Sequence, residues 1–190
     1  MMISAQRLQL VFSSSIFIIC GQLTALAAEI KVTQTSQLQQ QLQPEYQCLT
    51  QAYVVDPSSR GLNIRRKPNL SEKIIGRLSK NTEVNVLGMQ GEWILISVVD
   101  PISQKVAFRG EGWVYRSLLG VAAKGYDLKP VSLYSQPSFR SKVVGKISPN
   151  TETTLLGCSG KWLKIQSSKT RYQGWLEPNQ QCAAAYTSCS

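Results

Sequence analysis

Residues 82–93 read TEVNVLGMQGEW, and residues 151–162 read TETTLLGCSGKW, the same pattern 69 residues later. An internal repeat constrains the fold more than composition does, because both copies must reach one structure. Aligning 62–96 with 131–165 needs no gap and gives 12 identities in 35 positions. They include Pro68/Pro137, Gly76/Gly145, Asn81/Asn150, Gly88/Gly157, Gly91/Gly160 and Trp93/Trp162. The first copy then carries seven extra residues, and registration returns at Gly112-Trp113 and Gly174-Trp175. The expectation is a tandem of two small domains, 49–120 and 121–182.

Each copy reads as all-β. KIIGRL and KVVGKI are short runs rich in branched residues. In EVNVLG, apolar Val84 and Val86 alternate with polar Glu83 and Asn85, the period-two sign of a half-buried strand. WILISV and WLKIQ follow across a glycine-bearing turn, and GWVYRS and GWLEPN begin a last strand. Turn signals (KPN, KNT, GMQG, DPISQ; QPS, SPN, GCSG) break the pattern at the spacing of a sandwich or barrel. Neither copy contains a long helical pattern.

The ends differ from this middle. Residues 1–27 read as a secretory signal: Arg7 is their only charge, VFSSSIFIIC is mostly apolar, and Ala25-Leu26-Ala27 fits the cleavage rule. Ser13–Ser15, Gln22 and Thr24 interrupt what a membrane anchor would need, about 20 mostly apolar residues. Lipidation at Cys20 is disfavoured by Ile19, where a small residue is expected. Residues 28–48 form a polar, glutamine-rich linker with too few apolar residues to bury a core, and 183–190 a short tail. The expected product is secreted, periplasmic or extracellular, with no stable membrane insertion after cleavage.

That product has 20 Lys+Arg against 11 Asp+Glu, a net charge of +9. Such a charge bears on partners rather than on fold. Outside the cytoplasm the polyanions are wall polymers, anionic lipid surfaces and acidic proteins; nucleic acid is in the wrong compartment. The cations are scattered, which also fits plain solvated surface.

Four cysteines remain, Cys48, Cys158, Cys182 and Cys189, and an even count in a secreted chain points to disulfides. Four cysteines allow three pairings, between which the sequence does not choose. There is no C-x-x-C and no histidine. The missing histidine removes Ser-His-Asp triads, Cys-His pairs and histidine metal sites. Asp56, Glu72, Glu83, Glu92, Asp100, Glu111, Glu152 and Glu177 form no catalytic motif. No enzyme, metal or cofactor is expected.

The series LNIRRKPNLSEKIIGRLSKNTEVNVLGMQGEWILI…GEGWVYRSLL resembles a bacterial SH3-like (SH3b) domain. The first copy matches through Leu62, Asn63, Arg65, Pro68, Ile75, Gly76, Leu78, Thr82, Val84, Val86, Leu87, Trp93, Gly112, Trp113 and Val114. The second keeps Pro137, Gly145, Thr151, Leu156, Trp162, Gly174 and Trp175, but has Ser132 and Tyr134 in place of Asn63 and Arg65. The resemblance implies two small five-to-six-stranded barrels acting as non-catalytic binding modules of the envelope. The implied partner is peptidoglycan, through its stem or cross-bridge peptides, or alternatively an envelope protein bound as adaptor or inhibitor. The cysteine peptidases that often accompany such domains need a catalytic histidine, which this chain lacks.

The binding candidates are Arg65, Arg66, Lys67, Trp93 and Trp162, with Tyr115, Tyr134 and Phe139 weaker by the same aromatic logic. Aromatic faces are large, rigid platforms, and arginine can hold a peptide carboxylate bidentately. Each has a bland alternative. Arg65 occupies the family's motif position and can be structural, Arg66 and Lys67 can be solvated, and Trp93 and Trp162 can be groove or core. Trp113 and Trp175, each after a glycine at a strand start, are expected to be buried. The resemblance sets the GMQG turn beside the groove, with Met89 as an adaptable apolar rim. Cys158 is expected to staple the matching rim by pairing with Cys182 or Cys189. That would make the second copy the locked one and the first the better binder.

Overall fold

The computed structural model describes residues 46–124 and 129–183. The expected signal, the linker up to residue 45 and the tail from 184, with Cys189, lie outside the described residues. The elements are β1 Tyr46–Val54, β2 Leu62–Arg65, β3 Ile74–Leu78, β4 Glu83–Gln90, β5 Trp93–Val98, β6 Glu111–Tyr115, β7 Leu119–Ala123, β8 Val131–Tyr134, β9 Val143–Ile147, β10 Glu152–Ser159, β11 Trp162–Ser167, β12 Gln173–Leu176 and β13 Gln181–Cys182. Single 3-10 turns at Arg116–Leu118 and Pro178–Gln180 precede β7 and β13.

The all-β tandem is as expected, with one addition. The ladder runs β3-β2-β6-β5-β4-β1-β7-β10-β11-β12-β8-β9, with β13 on β7. Among the described residues no ladder closes either copy on itself, and the copies join in one continuous path. The join is β1 beside β7: Tyr53 lies opposite Gly120, and Val54 opposite Leu119. β7 ends the first copy and also opens the second. Val54 N–H donates to Thr82 O at 3.0 Å, and Ala123 N–H to Thr151 O at 2.9 Å. Asn81 N–H returns to Val54 O at 2.8 Å, and Asn150 N–H to Ala123 O at 2.9 Å. These matched bonds, 69 residues apart, explain an identity: Asn81 and Asn150 sit at φ 69° and 56°, where asparagine is tolerated. β1 itself starts inside the segment read as linker.

The alternation of β4 holds, with Val84 and Val86 fully buried and Glu83 and Asn85 turned outward. Ile94 and Ile96 of β5 and Leu163 and Ile165 of β11 complete the interior of each copy. Each such side chain contributes roughly 1.5–3 kcal/mol on burial. Gly76 and Gly145 are shared because an aromatic ring covers each. A Cβ would lie 2.7 Å from the Phe108 ring at Gly76 and 3.1 Å from the Tyr172 ring at Gly145.

Gly120, where β1, β7 and β10 meet, has no room at all. A Cβ there would lie 2.6 Å from Thr153 O and 2.6 Å from a Val55 methyl. Gly120→Ala should cost about 1–3 kcal/mol, the range for overpacking, read as a lower urea midpoint at unchanged m-value. Tyr53, 4 % exposed beside it, has its phenol pushed up to about 12 by burial, then by the charge of Glu152. Below pH 10 both folded and unfolded chains keep this proton. Above it the unfolded chain ionises first, so stability falls as pH rises from about 10 to 12. The Tyr53 share of that fall, on the order of 2 kcal/mol, should be missing from Tyr53→Phe in unfolding curves taken across this window.

The disulfide corrects an expectation. Cys158 pairs with Cys48, at a Cα separation of 5.8 Å, and not with Cys182 or Cys189. Cys182 is itself disulfide-bonded. The reason is topological: β1 passes against the second copy's GCSG turn, where Leu49 N–H donates to Gly160 O at 2.8 Å and Gly160 N–H to Gln47 O at 3.1 Å. Both sulfurs belong to residues almost fully buried.

Candidate functional site

β5 and β6 turn Ile94, Ile96 and Val114 inward, so Trp93, Leu95, Trp113 and Tyr115 share the opposite face. Trp93 stands opposite Tyr115 in the ladder, the rings edge-to-face at 5.6 Å. Tyr115 O–H donates to Glu92 Oε2 at 3.3 Å. Arg116 grips the same carboxylate through Nε at 3.1 Å and through Nη2. Its Nη1 donates at 2.6 Å to the carbonyl of Leu156 in the second copy. That carbonyl sits at a register shift between Leu155 and Gly157, where a bulge disrupts the ladder.

The cationic spot does not converge. Arg65 lies opposite Trp113, and its Nη1 donates to Glu72 O at 2.7 Å, bracing the 66–73 loop. Lys67 Nζ lies 3.5 Å from a Glu72 carboxylate oxygen. Arg66 is exposed, with no side-chain partner among the described residues.

The second copy builds a larger aromatic surface at the same place. Tyr134 on β8 and Trp162 on β11 meet edge-to-face at 5.5 Å. Phe139, at the tip of the 135–142 loop, packs 4.9 Å from Trp162 and 6.1 Å from Tyr134 while 62 % exposed. Tyr134 occupies the position of Arg65, so this copy lacks the bracing guanidinium. The loop keeps its shape regardless. Ser135 N–H donates to Lys142 O at 2.8 Å as Arg66 N–H does to Lys73 O at 3.2 Å. The hydroxyl of Ser141 donates toward Gln136 O at 3.0 Å and Ser138 O at 2.9 Å. A serine has taken over the bracing and freed the position for a ring.

Trp113 is buried as expected, but Trp175 is only half-buried. Leu95 and Arg65 flank Trp113 across the ladder, whereas Lys164 and Tyr134 flank Trp175. A lysine stem covers an indole less closely than a leucine. Met89 is also not a groove rim. It packs on the other copy, its sulfur 3.2 Å from where a Cβ on Gly157 would lie. The two matching turns therefore meet at the join between copies. With Cys158 bonded to β1, the basis for treating the second copy as internally locked is gone. Glu92, Arg116 and Ser141 are not among the binding candidates read from the sequence; only the register of β5 on β6, placing Tyr115 over Trp93, points to the first two. Among the described residues no group of three or more His, Cys, Asp or Glu side chains could hold a metal ion.

The family model for the bacterial SH3 domain matches residues 60–120 and 129–180. The chain belongs to the bacterial SH3 domain family. Its fold is similar to that of NlpC2 from Trichomonas vaginalis, at 16% identity and a TM-score of 0.30, over 75% of this chain and 50% of that one. It is similar to NlpC1 from the same organism, at 16% identity and a TM-score of 0.30, over 74% and 48%. The chain thus spans about half the length of these two proteins. It is also similar to the structure titled endolysin LysPBC5 CBD, at 16% identity and a TM-score of 0.31, over 75% and 98%. No curated protein sequence matches.

Proposed function

We propose that this chain is a non-catalytic binding module of the bacterial envelope that recognises peptidoglycan peptides on the aromatic faces of its two copies. The observation that carries the reading is the cluster of exposed Phe139 with half-buried Tyr134 and Trp162 on a fold of a binding family. Three edge-to-face rings offer a stiff apolar surface for the methyl groups of short wall peptides. Arg140, Lys142 and Lys164, all exposed on the same loop and strands, supply cations for their carboxylates. The buried Cys48–Cys158 bridge supports an oxidising, extracytoplasmic compartment. The chain with its disulfides intact should be retained on purified sacculi at low salt. Failure to co-sediment with them would end this reading.

A second reading, a protein adaptor or inhibitor, draws on β9. This strand is a sheet edge that carries exposed Val143 and Val144, open to pairing with a partner strand. Envelope cross-linking that recovers one dominant protein, and no wall fragments, would favour it over the first.

A further inference from the structure

At the end of the β2–β3 hairpin away from the 66–73 loop lies a cavity of 470 Å³, walled by residues 56–61 and 77–81. Three exposed cations line it, Arg60, Arg77 and Lys80. Arg77 Nε donates to Asn63 Oδ1 at 2.9 Å, which orients the guanidinium by a neutral partner and leaves its charge uncancelled. Neither the Arg60 nor the Lys80 side chain has a hydrogen bond or ion pair among the described residues. The one acid of the lining, Asp56, is 8 % exposed, and its Oδ1 accepts the Ser58 N–H at 2.8 Å. Ser58, Ser59 and Ser79 add hydroxyls around the same space. The second copy keeps cations at two of these positions, Lys129 for Arg60 and Lys146 for Arg77, but has Pro149 where Lys80 stands.

We propose that this cavity is an anion site for a phosphate or phosphodiester group. Two guanidinium groups and an ammonium around one concavity form charge-assisted bonds to tetrahedral oxyanions, and arginine's fork suits them bidentately. Aromatic rings take no part, so the site is independent of the peptide reading. It would give the net charge of +10 one focus.

The test is an amide chemical-shift titration of the disulfide-intact chain with pyrophosphate, a glycerol-phosphate oligomer, and anionic or zwitterionic vesicles. Pyrophosphate should move amides of 56–61 and 77–81 first and saturate. Arg60→Gln and Lys80→Gln, both at exposed positions, should each weaken binding by about tenfold, and Phe139→Ala should leave it unchanged. Tighter binding of the oligomer at these residues assigns the phosphate to a polymer; response to anionic vesicles there assigns it to a lipid headgroup. Non-saturating shifts spread over all basic side chains, or undiminished binding by the Arg60→Gln/Lys80→Gln variant, would overturn the proposal.

Discussion

Replacing Cys48 and Cys158 together by serine should lower the unfolding free energy by about 4 kcal/mol. The bridge closes 110 residues, and the chain-entropy account gives roughly 4–5 kcal/mol for a loop of that size. The folded structure points the same way. The β1–β4 register shifts between Gln47 and Thr50, so the stretch around Cys48 is poorly held by the first copy. It is held by Gly160 and by the bridge. Without the bridge, residues 46–50 should open locally, with faster exchange at the Leu49 and Gly160 amides, while the pairing of Tyr53 and Val54 with β7 and the β7–β10 ladder still tie the copies together. Guanidinium unfolding of oxidised wild type against the double variant measures the total. A loss under about 1 kcal/mol would mean that the ladder already restricts the unfolded chain as the bridge does. The effect should reach the aromatic cluster, because Ser159, next to Cys158, pairs with Trp162.

The repeat makes the two-copy plan legible in the sequence. Period-two alternation in EVNVLG predicts which side of β4 is buried, and the glycine and proline signals mark the turns. The shared Asn81/Asn150 and Gly76/Gly145 are identities whose causes, positive φ and a covering ring, only the fold displays. β1 hides for a physical reason. Apolar Leu49 faces outward, 71 % exposed, and polar Thr50 takes an inward place, so YQCLTQAYV does not read as a strand from its first residue. The pairing of Cys48 with Cys158 hides with it, since that depends on β1 crossing to the other copy. The candidate aromatic face is legible in part. Trp93 and Tyr115 are recoverable from cross-strand register, and Arg65 takes its structural reading. Phe139 ranked low because loop composition does not reveal a tip folding back onto Trp162. Exposure at Phe139 then reverses the ranking of the copies, the second now offering the larger free aromatic surface.

That reversal fixes the second prediction. Trp162→Ala should weaken sacculus binding by about 30-fold or more, the size expected for an aromatic anchor at the centre of a contact. Phe139→Ala should cost about tenfold, and is the cleaner variant. Its ring is 62 % exposed, so stability should move by no more than about 0.5 kcal/mol. Trp93→Ala should cost less. Its partner ring Tyr115 is tied to Glu92, and that carboxylate, though paired with Arg116, stands where a ligand carboxylate would be repelled. The copies are joined through β1 and β7 as one continuous ladder, so a ligand long enough to reach both faces would meet two sites at fixed spacing. If both faces engage one polymer at once, the losses from Trp93→Ala and Trp162→Ala should multiply on sacculi, whereas a single soluble muropeptide meets one face at a time, so each single variant should keep the other site and only the pair should lose binding. Binding curves for the single variants and the pair, on both ligands, separate these cases. Full retention of Phe139→Ala and Trp162→Ala on sacculi would remove the aromatic cluster from the recognition surface and leave the β9 edge, with Val143 and Val144, as the place to look.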